Sequence, residues 1–313
     1  MHFPTEGDTD MNKEIFDEIR RLKEETGTVI LAHTYQDPDI IELADITGDS
    51  FALAKKSLAV GARRVIMCGV RFMAESVKIL SPETKVILPV PEATCPMAEM
   101  ISPERVRRYK EENPNAKVVA YINTTAALKA ECDVCVTSSS ALKIVGKLDA
   151  PEILFIPDKN LGSFVKEHFP EKNIVLWDGY CPIHATITED DILKAKKEHP
   201  EALLAVHPEC DKSVVKHADM AGSTADIIDF ALSSEKPVII GTERGVADWL
   251  IPHNPEKKFY YLCPEKLVCK DMKYTTPESI LKALKNEGGE KIELPAELIR
   301  KAKHSIDEML RLG

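Results

Sequence analysis

Short apolar runs alternate with amphipathic stretches along the first hundred residues of the chain. In chain order, the predicted elements are a helix over 12–26, a strand at 29–33, a helix over 50–60, a strand at 64–69, a helix over 74–80 and a strand at 85–89. Strands that read as continuous apolar runs between helices are typical of a parallel sheet that is covered on both faces. The pattern therefore predicts an α/β fold.

The same order of elements returns twice. A helix over 103–112 leads to a strand at 117–123, and a helix over 188–199 leads to a strand at 202–207. The segments that enter the three first strands, KEETGTVILAHTY, EENPNAKVVAYIN and KEHPEALLAVHPE, align without a gap. Ser102 and Thr188 precede the two later helices and are followed by acidic residues, which is the usual signature of a helix N-terminus.

Polar residues recur at a fixed spacing after these strands. The residue that ends each strand is followed by an aspartate twelve positions later and by a hydroxyl residue five positions further on. The three sets are His33, Asp45 and Ser50; Tyr121, Asp133 and Ser138; and His207, Asp219 and Thr224. Three matches with identical spacing indicate a threefold internal repeat. We interpret the aspartates as structural residues that fix the loops.

Three of the eight cysteines share this repeat. Cys95, Cys181 and Cys269 follow the hydroxyl residue of their unit by 45, 43 and 45 positions. Cys263 follows it by 39 positions but precedes a proline, as the first two do, and is therefore a rival to Cys269. We favour Cys269 on spacing. Cysteines from equivalent places in three units predict one shared metal centre.

The repeat divides the chain into three α/β units and a tail. The predicted boundaries are 1–101, 102–187 and 188–272 for the units, and 273–313 for a helical segment that is expected to pack back on the first unit. Residues 1–10 are polar and acidic and are interpreted as a loose extension. If the three units meet about a pseudo-threefold axis, their polar residues converge on a central cavity.

Composition limits the kinds of partner. The chain is 44% hydrophobic and 29% charged, which is ordinary for a globular protein, and its net charge of −10 argues against binding to nucleic acid. Its apolar runs are shorter than the roughly 18 residues that a membrane span needs. The N-terminus lacks the apolar core of a signal peptide. We therefore expect a cytoplasmic protein, in which cysteines stay reduced and can bind metal.

The repeated residues predict a site for a small anion beside a metal. Ligands of parallel α/β units bind outside the carboxyl ends of the strands. Ser50, Ser138 and Thr224 lie at or near helix N-termini, where free N–H groups favour anions. Structural zinc sites usually have four protein ligands in close pairs, whereas three separated thiolates also suit a [4Fe–4S] cluster with one open iron. The spacing leaves both metals open.

A set of local motifs resembles the quinolinate synthase family of the [4Fe–4S] type. The motifs are AHTYQ at 32–36, ADITGDS at 44–50, CGVRFMAES at 68–76, VAYINT at 119–124, VTSS at 136–139, FIPDKNLG at 155–162, HPEC at 207–210, AGST at 221–224 and CKDMK at 269–273. Each motif is weak alone. Together they are highly specific, and the match extends from about residue 14 to the C-terminus.

The resemblance implies three similar αβα domains about a pseudo-threefold axis, with the active site at the centre. There it implies a [4Fe–4S] cluster held by Cys95, Cys181 and Cys269, whose open iron acts as a Lewis acid. The implied reaction condenses iminoaspartate with dihydroxyacetone phosphate to quinolinate, phosphate and water in de novo NAD biosynthesis. These small molecules are the implied partners, and a transient contact with an enzyme that produces iminoaspartate stays open.

The resemblance also implies roles for individual residues. Glu209 is the expected general acid or base, and Tyr35, His184 and Tyr121 are expected to assist the transfer of protons. The expected substrate-binding residues are His33, Ser50, Tyr121, Asn123, Ser138, His207, Glu209, Ser223 and Thr224. For the hydroxyl residues, a helix N-cap is an equally good interpretation.

Three other interpretations stay open. Some terpenoid-pathway reductases and diphthamide-type enzymes also place three cysteines from three domains around a cluster, but they would lack the His-x-Tyr and Gly-Ser-Thr motifs. An iron–sulfur or redox sensor would use Cys132 and Cys135 as a thiol switch, although core packing explains this pair better. The third alternative is a zinc protein.

Overall fold

The computed structural model describes residues 6–313, with side chains from residue 13 onward except that of Val60. The first helix begins at Glu6, within the stretch that we expected to be a loose extension. The rest of that extension, residues 1–5, lies outside the described residues. Across residues 6–313, every helix is too short or too polar to cross a membrane.

Three successive segments contain the same alternation of helices and strands. The first contains α1 (Glu6–Thr26), β1 (Thr28–His33), α2 (Pro38–Leu43), β2 (Ile46–Gly48), α3 (Ser50–Val60), β3 (Arg64–Cys68), α4 (Arg71–Leu80) and β4 (Lys85–Leu88). The second contains α5 (Pro103–Glu112), β5 (Ala116–Tyr121), α6 (Ala126–Lys129), β6 (Val134–Val136), α7 (Ala141–Lys147), β7 (Glu152–Ile156), α8 (Lys159–His168) and β8 (Ile174–Leu176). The third contains α9 (Glu189–Glu198), β9 (Leu203–Val206), α10 (Lys212–Val215), β10 (Met220–Ala221), α11 (Thr224–Ser233), β11 (Val238–Gly241), α12 (Gly245–His253) and β12 (Phe259–Tyr261). The C-terminal segment contains α13 (Pro277–Lys285), β13 (Glu290–Lys291) and α14 (Ala296–Leu312).

The helices that open the second and third segments begin where the sequence indicates. Ser102 is the N-cap of α5, and Thr188 is the N-cap of α9. The Thr188 hydroxyl accepts the N–H of Asp191, whose carboxylate in turn accepts the N–H of Thr188, so the two residues form a capping box. The predicted boundaries at 102 and 188 thus fall on two helix caps.

Each segment forms a parallel sheet in which the first strand lies between the second and the third. Within residues 6–313 the three sheets have the orders β2-β1-β3-β4, β6-β5-β7-β8 and β10-β9-β11-β12, and β13 extends the first sheet beside β4. The register repeats as well, and the equivalent pairs are Ala32 with Cys68, Ala120 with Ile156 and Val206 with Gly241. The predicted α/β fold of three repeated αβα units with parallel sheets is confirmed.

Continuous apolar strands are needed because both faces of each sheet are covered. Ile30 and Ile66 pack into a core with residues of α1 and α13, whereas Leu31 and Met67 point the opposite way, into a core that continues into the second unit. All four side chains are fully buried. Burying each one stabilises the fold by about 1.5–3 kcal/mol before the cost of ordering it.

The repeated aspartates make the same hydrogen bonds in all three units. Each carboxylate lies just before the second strand of its sheet and accepts an N–H of the first strand. The pairs are Ile30 to Asp45 at 2.7 Å, Val118 to Asp133 at 2.8 Å and Leu204 to Asp219 at 2.8 Å. The N–H of each aspartate donates in return to the carbonyl of the same residue. The interpretation of these aspartates as loop-fixing residues is confirmed.

The C-terminal segment contacts two units. Helix α13 lies against α1, and β13 pairs antiparallel with β4, so both belong with the first unit. Helix α14 instead lies mainly against α6 and β6 of the second unit and also contacts α4. It buries Ala302, Ile306 and Met309 there, and the Ser305 hydroxyl donates to the Lys129 carbonyl at 3.0 Å. An amphipathic pattern specifies which face of this helix is buried, but not which unit covers it.

Candidate active site

The three units meet at a central cavity of about 860 Å³ of empty space, including its open mouth. His33 and Tyr121 end the first strands of two sheets, His207 follows the first strand of the third, and all three line the cavity. The other predicted residues on its wall are Tyr35, Ser50, Asn123, Ser138, His184, Glu209 and Thr224, together with Cys95, Cys181 and Cys269. The carboxyl ends of the sheets therefore face one shared space.

Each cysteine on the wall lies at or just before a short 3₁₀ helix. The helices are Pro96–Glu99 after Cys95, His184–Thr186 after Cys181 and Asp271–Lys273 after Cys269. Burial raises the pKa of the Cys95 and Cys269 thiols to about 12, and it raises the pKa of Cys181 well above the usual value. A backbone N–H three positions after each cysteine opposes burial and lowers the pKa; the donors are Ala98, His184 and Met272. These N–H groups favour the thiolate, which is the form that binds metal.

The donors on the wall suit a metal cofactor. Negative charge on Cys269 raises the pKa of Cys95, and charge on Cys95 raises the pKa of Cys181, so the three thiols are close enough to repel one another as thiolates. A metal cation removes that repulsion. A second group of possible metal ligands shares Cys181 with the three cysteines. It consists of Cys181, His184 and Glu209, and one ligand atom of each residue lies within 4.8 Å of the other two. All eight cysteines, which lie within the described residues, are free.

Cys263, the rival to Cys269, lies away from the cavity. Its side chain packs with Leu262 and Leu267 in a core of the third unit. Burial raises the pKa of its thiol to about 11, and the nearby Asp191 carboxylate adds to this effect. The structure therefore brings Cys269, and not Cys263, to the wall that carries the other two cysteines.

Cys132 and Cys135 are buried in the second unit. The Cys132 thiol donates to the Leu128 carbonyl at 3.1 Å, and the Cys135 thiol donates to the Ser305 hydroxyl at 3.4 Å. Burial raises the pKa of both thiols. Buried thiols with a raised pKa react slowly, so the geometry favours core packing over a thiol switch.

Glu209 is the centre of a hydrogen-bond network inside the cavity. The Tyr121 hydroxyl donates to its Oε1 at 2.5 Å, and His184 Nδ1 lies 2.8 Å from its Oε2. Burial disfavours the carboxylate, but His207, His184 and the Tyr121 hydroxyl outweigh burial and lower the pKa of Glu209 below its usual range. The Asn160 amide donates to the Glu209 carbonyl at 2.9 Å and fixes the backbone. Glu209 is therefore an ionised, oriented carboxylate.

His33 and His207 have the same local geometry in two different units. The N–H of Tyr35 donates to His33 Nδ1 at 3.1 Å, and the N–H of Glu209 donates to His207 Nδ1 at 3.3 Å. Burial lowers the pKa of His33 to about 3 and that of His207 to about 4, so both imidazoles are neutral at pH 7. Because Nδ1 accepts a hydrogen bond, the proton of each neutral ring is on Nε2, where it can be donated to a ligand.

Tyr35 is linked to the third unit through its hydroxyl. The oxygen lies 2.9 Å from the hydroxyl of Thr224 and 2.9 Å from that of Thr242. Burial raises the pKa of Tyr35 well above its usual value, and the charge of Glu209 adds to this shift. The phenol is therefore neutral and can donate a proton or accept a hydrogen bond.

The hydroxyl residues on the wall lie at helix N-termini. Ser50 is the first residue of α3, and Thr224 is the first residue of α11. Ser138 comes two positions before Ser140, the N-cap of α7. Ser223 is the exception, because it is absent from the wall and its hydroxyl exchanges hydrogen bonds with Asp226 as the N-cap of α11. For Ser223, the structure supports the capping interpretation.

Two residues that sequence reasoning missed follow β11. Thr242 contacts Tyr35, and Glu243 is a fully buried carboxylate on the cavity wall. Glu243 accepts the N–H of Cys269 at 3.2 Å, and the ammonium of Lys273 lies 3.6 Å away. The Lys273 ammonium also donates to the Tyr35 carbonyl at 2.6 Å, so it links Glu243 to the backbone of Tyr35. Thr242 has no polar counterpart in the repeat, because Gly69 and Pro157 stand at the equivalent positions, whereas Glu243 is equivalent to the buried Asp158 of the second unit.

Known proteins provide an independent comparison. Residues 17–311 match the family described as Quinolinate synthetase A protein. The chain is 48% identical to a quinolinate synthase of Caldicellulosiruptor bescii over 305 residues, which cover 97% of this chain and 100% of that protein. It is 46% identical to that of Clostridioides difficile over 304 residues, with 97% and 99% covered. It is 45% identical to that of Aquifex aeolicus over 308 residues, with 96% and 95% covered.

Proposed function

The chain belongs to the quinolinate synthetase A family, and on that premise we propose that it condenses iminoaspartate with dihydroxyacetone phosphate to quinolinate in NAD biosynthesis. The observation that carries the proposal is the shared cavity, which combines one cysteine from each unit with the network around Glu209. A small, multiply anionic substrate suits a wall that is lined by helix N-termini and imidazoles.

The proposed reaction needs no change of redox state. It consists of enamine attack, loss of phosphate, isomerisation and two dehydrations, so one phosphate and two water molecules leave as the pyridine ring forms. Each step moves protons between carbon, nitrogen and oxygen atoms. The chain therefore has to supply groups that bind anions and groups that transfer protons.

We propose that Cys95, Cys181 and Cys269 hold a [4Fe–4S] cluster. A cluster with three protein thiolates has one open iron, which can polarise a hydroxyl, carbonyl or carboxylate. Their common cavity wall and the backbone N–H groups that favour their thiolates support this assignment. The overlapping group of Cys181, His184 and Glu209 makes a single bound ion the alternative that metal analysis has to exclude.

Glu209 is the general base of the proposed mechanism. It is buried and ionised, and the donors Tyr121 and His184 hold one oxygen each. A dicarboxylate bound beside it would raise its pKa by repulsion between like charges, which brings Glu209 closer to the pKa that suits a catalyst at neutral pH. Glu209 takes a proton from substrate carbon and becomes a carboxylic acid, and Tyr121 and His184 orient its carboxylate before the transfer.

The substrate anions are held by residues of all three units. Ser50, Ser138 and Thr224 offer hydroxyls at or near helix N-termini, and the ring N–H groups of His33 and His207 are further donors. Neutral imidazoles bind an anion through hydrogen bonds, and the anion in turn favours their protonation. Substrate binding is therefore expected to take up protons from solution.

The direct test is an anaerobic assay. The purified chain is incubated with iminoaspartate and dihydroxyacetone phosphate, and quinolinate and phosphate are quantified together with iron, sulfide and zinc. We expect equal amounts of quinolinate and phosphate, and about four iron and four sulfide per chain in the active preparation. Active protein that contains zinc but no iron would refute the cluster.

Single cysteine substitutions test the ligands. Cys95→Ala, Cys181→Ala and Cys269→Ala should each lose iron and quinolinate formation, because each removes one of three ligands. Cys263→Ala is the matched control, since this buried cysteine lies outside the cavity. A Cys263→Ala protein without the cluster, beside a Cys269→Ala protein that retains it, would overturn the assignment.

A further inference from the structure

Lys129 is a fully buried lysine that the proposed mechanism does not use. It is the last residue of α6, and 0% of its surface is exposed. Its ammonium donates to the Ile122 carbonyl at 2.7 Å and also to the Thr124 carbonyl. A buried ammonium is costly unless hydrogen bonds compensate for the lost water. The two backbone carbonyls therefore account for how the fold tolerates this charge.

The two carbonyls flank Asn123, a residue of the cavity wall. The side-chain oxygen of Asn123 is buried and has no hydrogen-bond partner among the residues that the structure describes. A buried amide oxygen in a cavity is expected to find its partner in a ligand, which agrees with the role in substrate binding that we expect for Asn123. Because one ammonium holds the carbonyl before Asn123 and the carbonyl after it, Lys129 fixes the bend of the chain at this residue.

The same ammonium connects the loop with the first unit. It lies 5.4 Å from the ring centroid of Phe72, which lines the cavity, and attraction between the cation and the ring adds to the two hydrogen bonds. Further along the loop, the Glu75 carboxylate of the first unit accepts the N–H of Ala126 at 2.7 Å. The loop between β5 and α6 is therefore held through its carbonyls by Lys129 and through an N–H group by Glu75.

The other two units hold the equivalent loop in a different way. Their strand-end residue is a histidine, whose Nδ1 accepts the N–H of the residue two positions later. His33 accepts the N–H of Tyr35, and His207 accepts that of Glu209. In the second unit the strand end is Tyr121, which has a ring carbon in place of Nδ1 and whose hydroxyl donates to Glu209. This unit therefore needs another group to hold its loop.

Lys129 meets this need, and its position is specific to the second unit. It lies eight positions after the residue that ends the first strand, and the other two units have Ile41 and Val215 at this distance. Neither of these apolar side chains can donate to a carbonyl. The lysine thus occurs in the unit that lacks the histidine, and apolar residues occur in the two units that have it.

On the premise of the proposed function, we propose that Lys129 is a positioning residue: it replaces the strand-end histidine of the other units and keeps the Asn123 amide directed at the substrate. Lys129→Met keeps the length of the side chain but removes its N–H groups. The two buried carbonyls would then lose this donor, and the bend at Asn123 would no longer be fixed.

Steady-state kinetics test this role. We expect Lys129→Met to lower kcat/KM by about 10- to 100-fold, mainly through a higher KM, with unchanged iron content, because Asn123 would be misplaced but still present. Arg64→Met is the matched control. Arg64 is a buried cation that donates to the carbonyls of Ala283 and Leu284, and it begins β3, away from the carboxyl end that faces the cavity. This variant should lose stability but stay within about threefold of the wild-type kcat/KM. A wild-type kcat/KM in Lys129→Met, or an equal loss in Arg64→Met, would refute the proposal.

A double-mutant cycle shows whether Lys129 acts through Asn123. Asn123→Ala removes the amide, so the addition of Lys129→Met should change kcat/KM by less than about threefold. A further loss of about 10-fold or more would mean that Lys129 acts on the fold in general, and the proposal would be wrong. If Lys129→Met does not fold, the same cycle is run with Lys129→Gln, whose shorter polar side chain cannot hold both carbonyls.

Hydrogen exchange of the anaerobically purified full chain gives a readout that does not depend on the reaction. Peptides that cover residues 122–126 should exchange about 10-fold faster in Lys129→Met than in the wild type, and at the wild-type rate in Arg64→Met. An unchanged rate in Lys129→Met would refute the role of Lys129 even if quinolinate forms. Faster exchange in Lys129→Met, beside a wild type that makes no quinolinate, would refute the proposed function alone.

Discussion

Two of the sets of polar residues that recur in every unit, the loop aspartates and the strand-end residues, have diverged to different degrees. The loop aspartates Asp45, Asp133 and Asp219 are the same residue type, and their hydrogen bonds to the first strand differ by 0.1 Å. The residues at the carboxyl ends of the same strands differ in type and in partners. In two units they are histidines that accept a backbone N–H, and in the second unit the residue is a tyrosine that donates to Glu209.

The difference follows from what each set contacts. Each aspartate satisfies an N–H of its own unit, and this requirement is the same in every copy of the sheet. The strand ends face a cavity that all three units share. A substrate without threefold symmetry presents a different atom to each unit, so three identical side chains could not all bind it well. The loop aspartates therefore keep the repeat in residue type, whereas the strand-end residues, which face the cavity, have lost it.

The largest expected effect is a fall in kcat, and it tests Glu209 on the wall of the shared cavity. Glu209→Gln should lower kcat by about 10²- to 10⁴-fold, as is typical when a general base is removed. The iron content and the urea midpoint should stay close to the wild type, because glutamine has nearly the same shape. Steady-state kinetics and urea unfolding measure the two quantities separately. Full activity in Glu209→Gln would contradict its role as the base.

The features that could be predicted from sequence are those that the chain repeats. The spacing of twelve and five residues indicated three units, and the 43 to 45 positions between the hydroxyl residue and the cysteine favoured Cys269 over Cys263. Both inferences work because a repeated unit places equivalent residues at equivalent points of its sheet. The structure has Cys269 on the cavity wall and Cys263 in a core, as spacing alone suggested.

The features that could not be predicted depend on contacts between units. Thr242 and Tyr35 are 207 positions apart, and nothing in their local sequences shows that they touch. Glu243 likewise lies beside the Lys273 ammonium, which donates to the Tyr35 carbonyl of the first unit. A local motif cannot distinguish these uses, because each depends on what another unit places beside it.

The second-largest expected effect is a loss of stability in acid. It tests His33, the residue at the end of the first strand of the first unit. Burial lowers the pKa of His33 to about 3 from 6.5, so below pH 6.5 the unfolded chain binds a proton that the folded chain does not. Stability is therefore full above this pH and falls as the pH drops towards 3. Between about pH 7.5 and about pH 5, His33 alone should reduce the free energy of unfolding by about 2 kcal/mol.

Urea unfolding at both pH values tests this prediction. His33→Gln cannot titrate, so it should lose about 2 kcal/mol less than the wild type over the same pH interval. His168→Gln is the matched control, because His168 is exposed and should leave the wild-type dependence unchanged. Equal losses in His33→Gln and the wild type would show that His33 is protonated in the folded chain.

The smallest effect tests the repeated aspartates. Asp133→Ala removes the acceptor of the Val118 N–H and should lower the free energy of unfolding by about 1–2 kcal/mol, since a strand N–H is left without a partner. Asp133→Asn keeps an oxygen acceptor and should cost less than about 1 kcal/mol. The exposed Asp149→Ala is the control for loss of a carboxylate alone. The unfolding midpoint should fall most in Asp133→Ala, less in Asp133→Asn and least in Asp149→Ala, while kcat stays constant in all three. A fall in kcat at wild-type stability would mean that a residue kept by the repeat also serves the site, and the separation of fold residues from site residues would then be wrong.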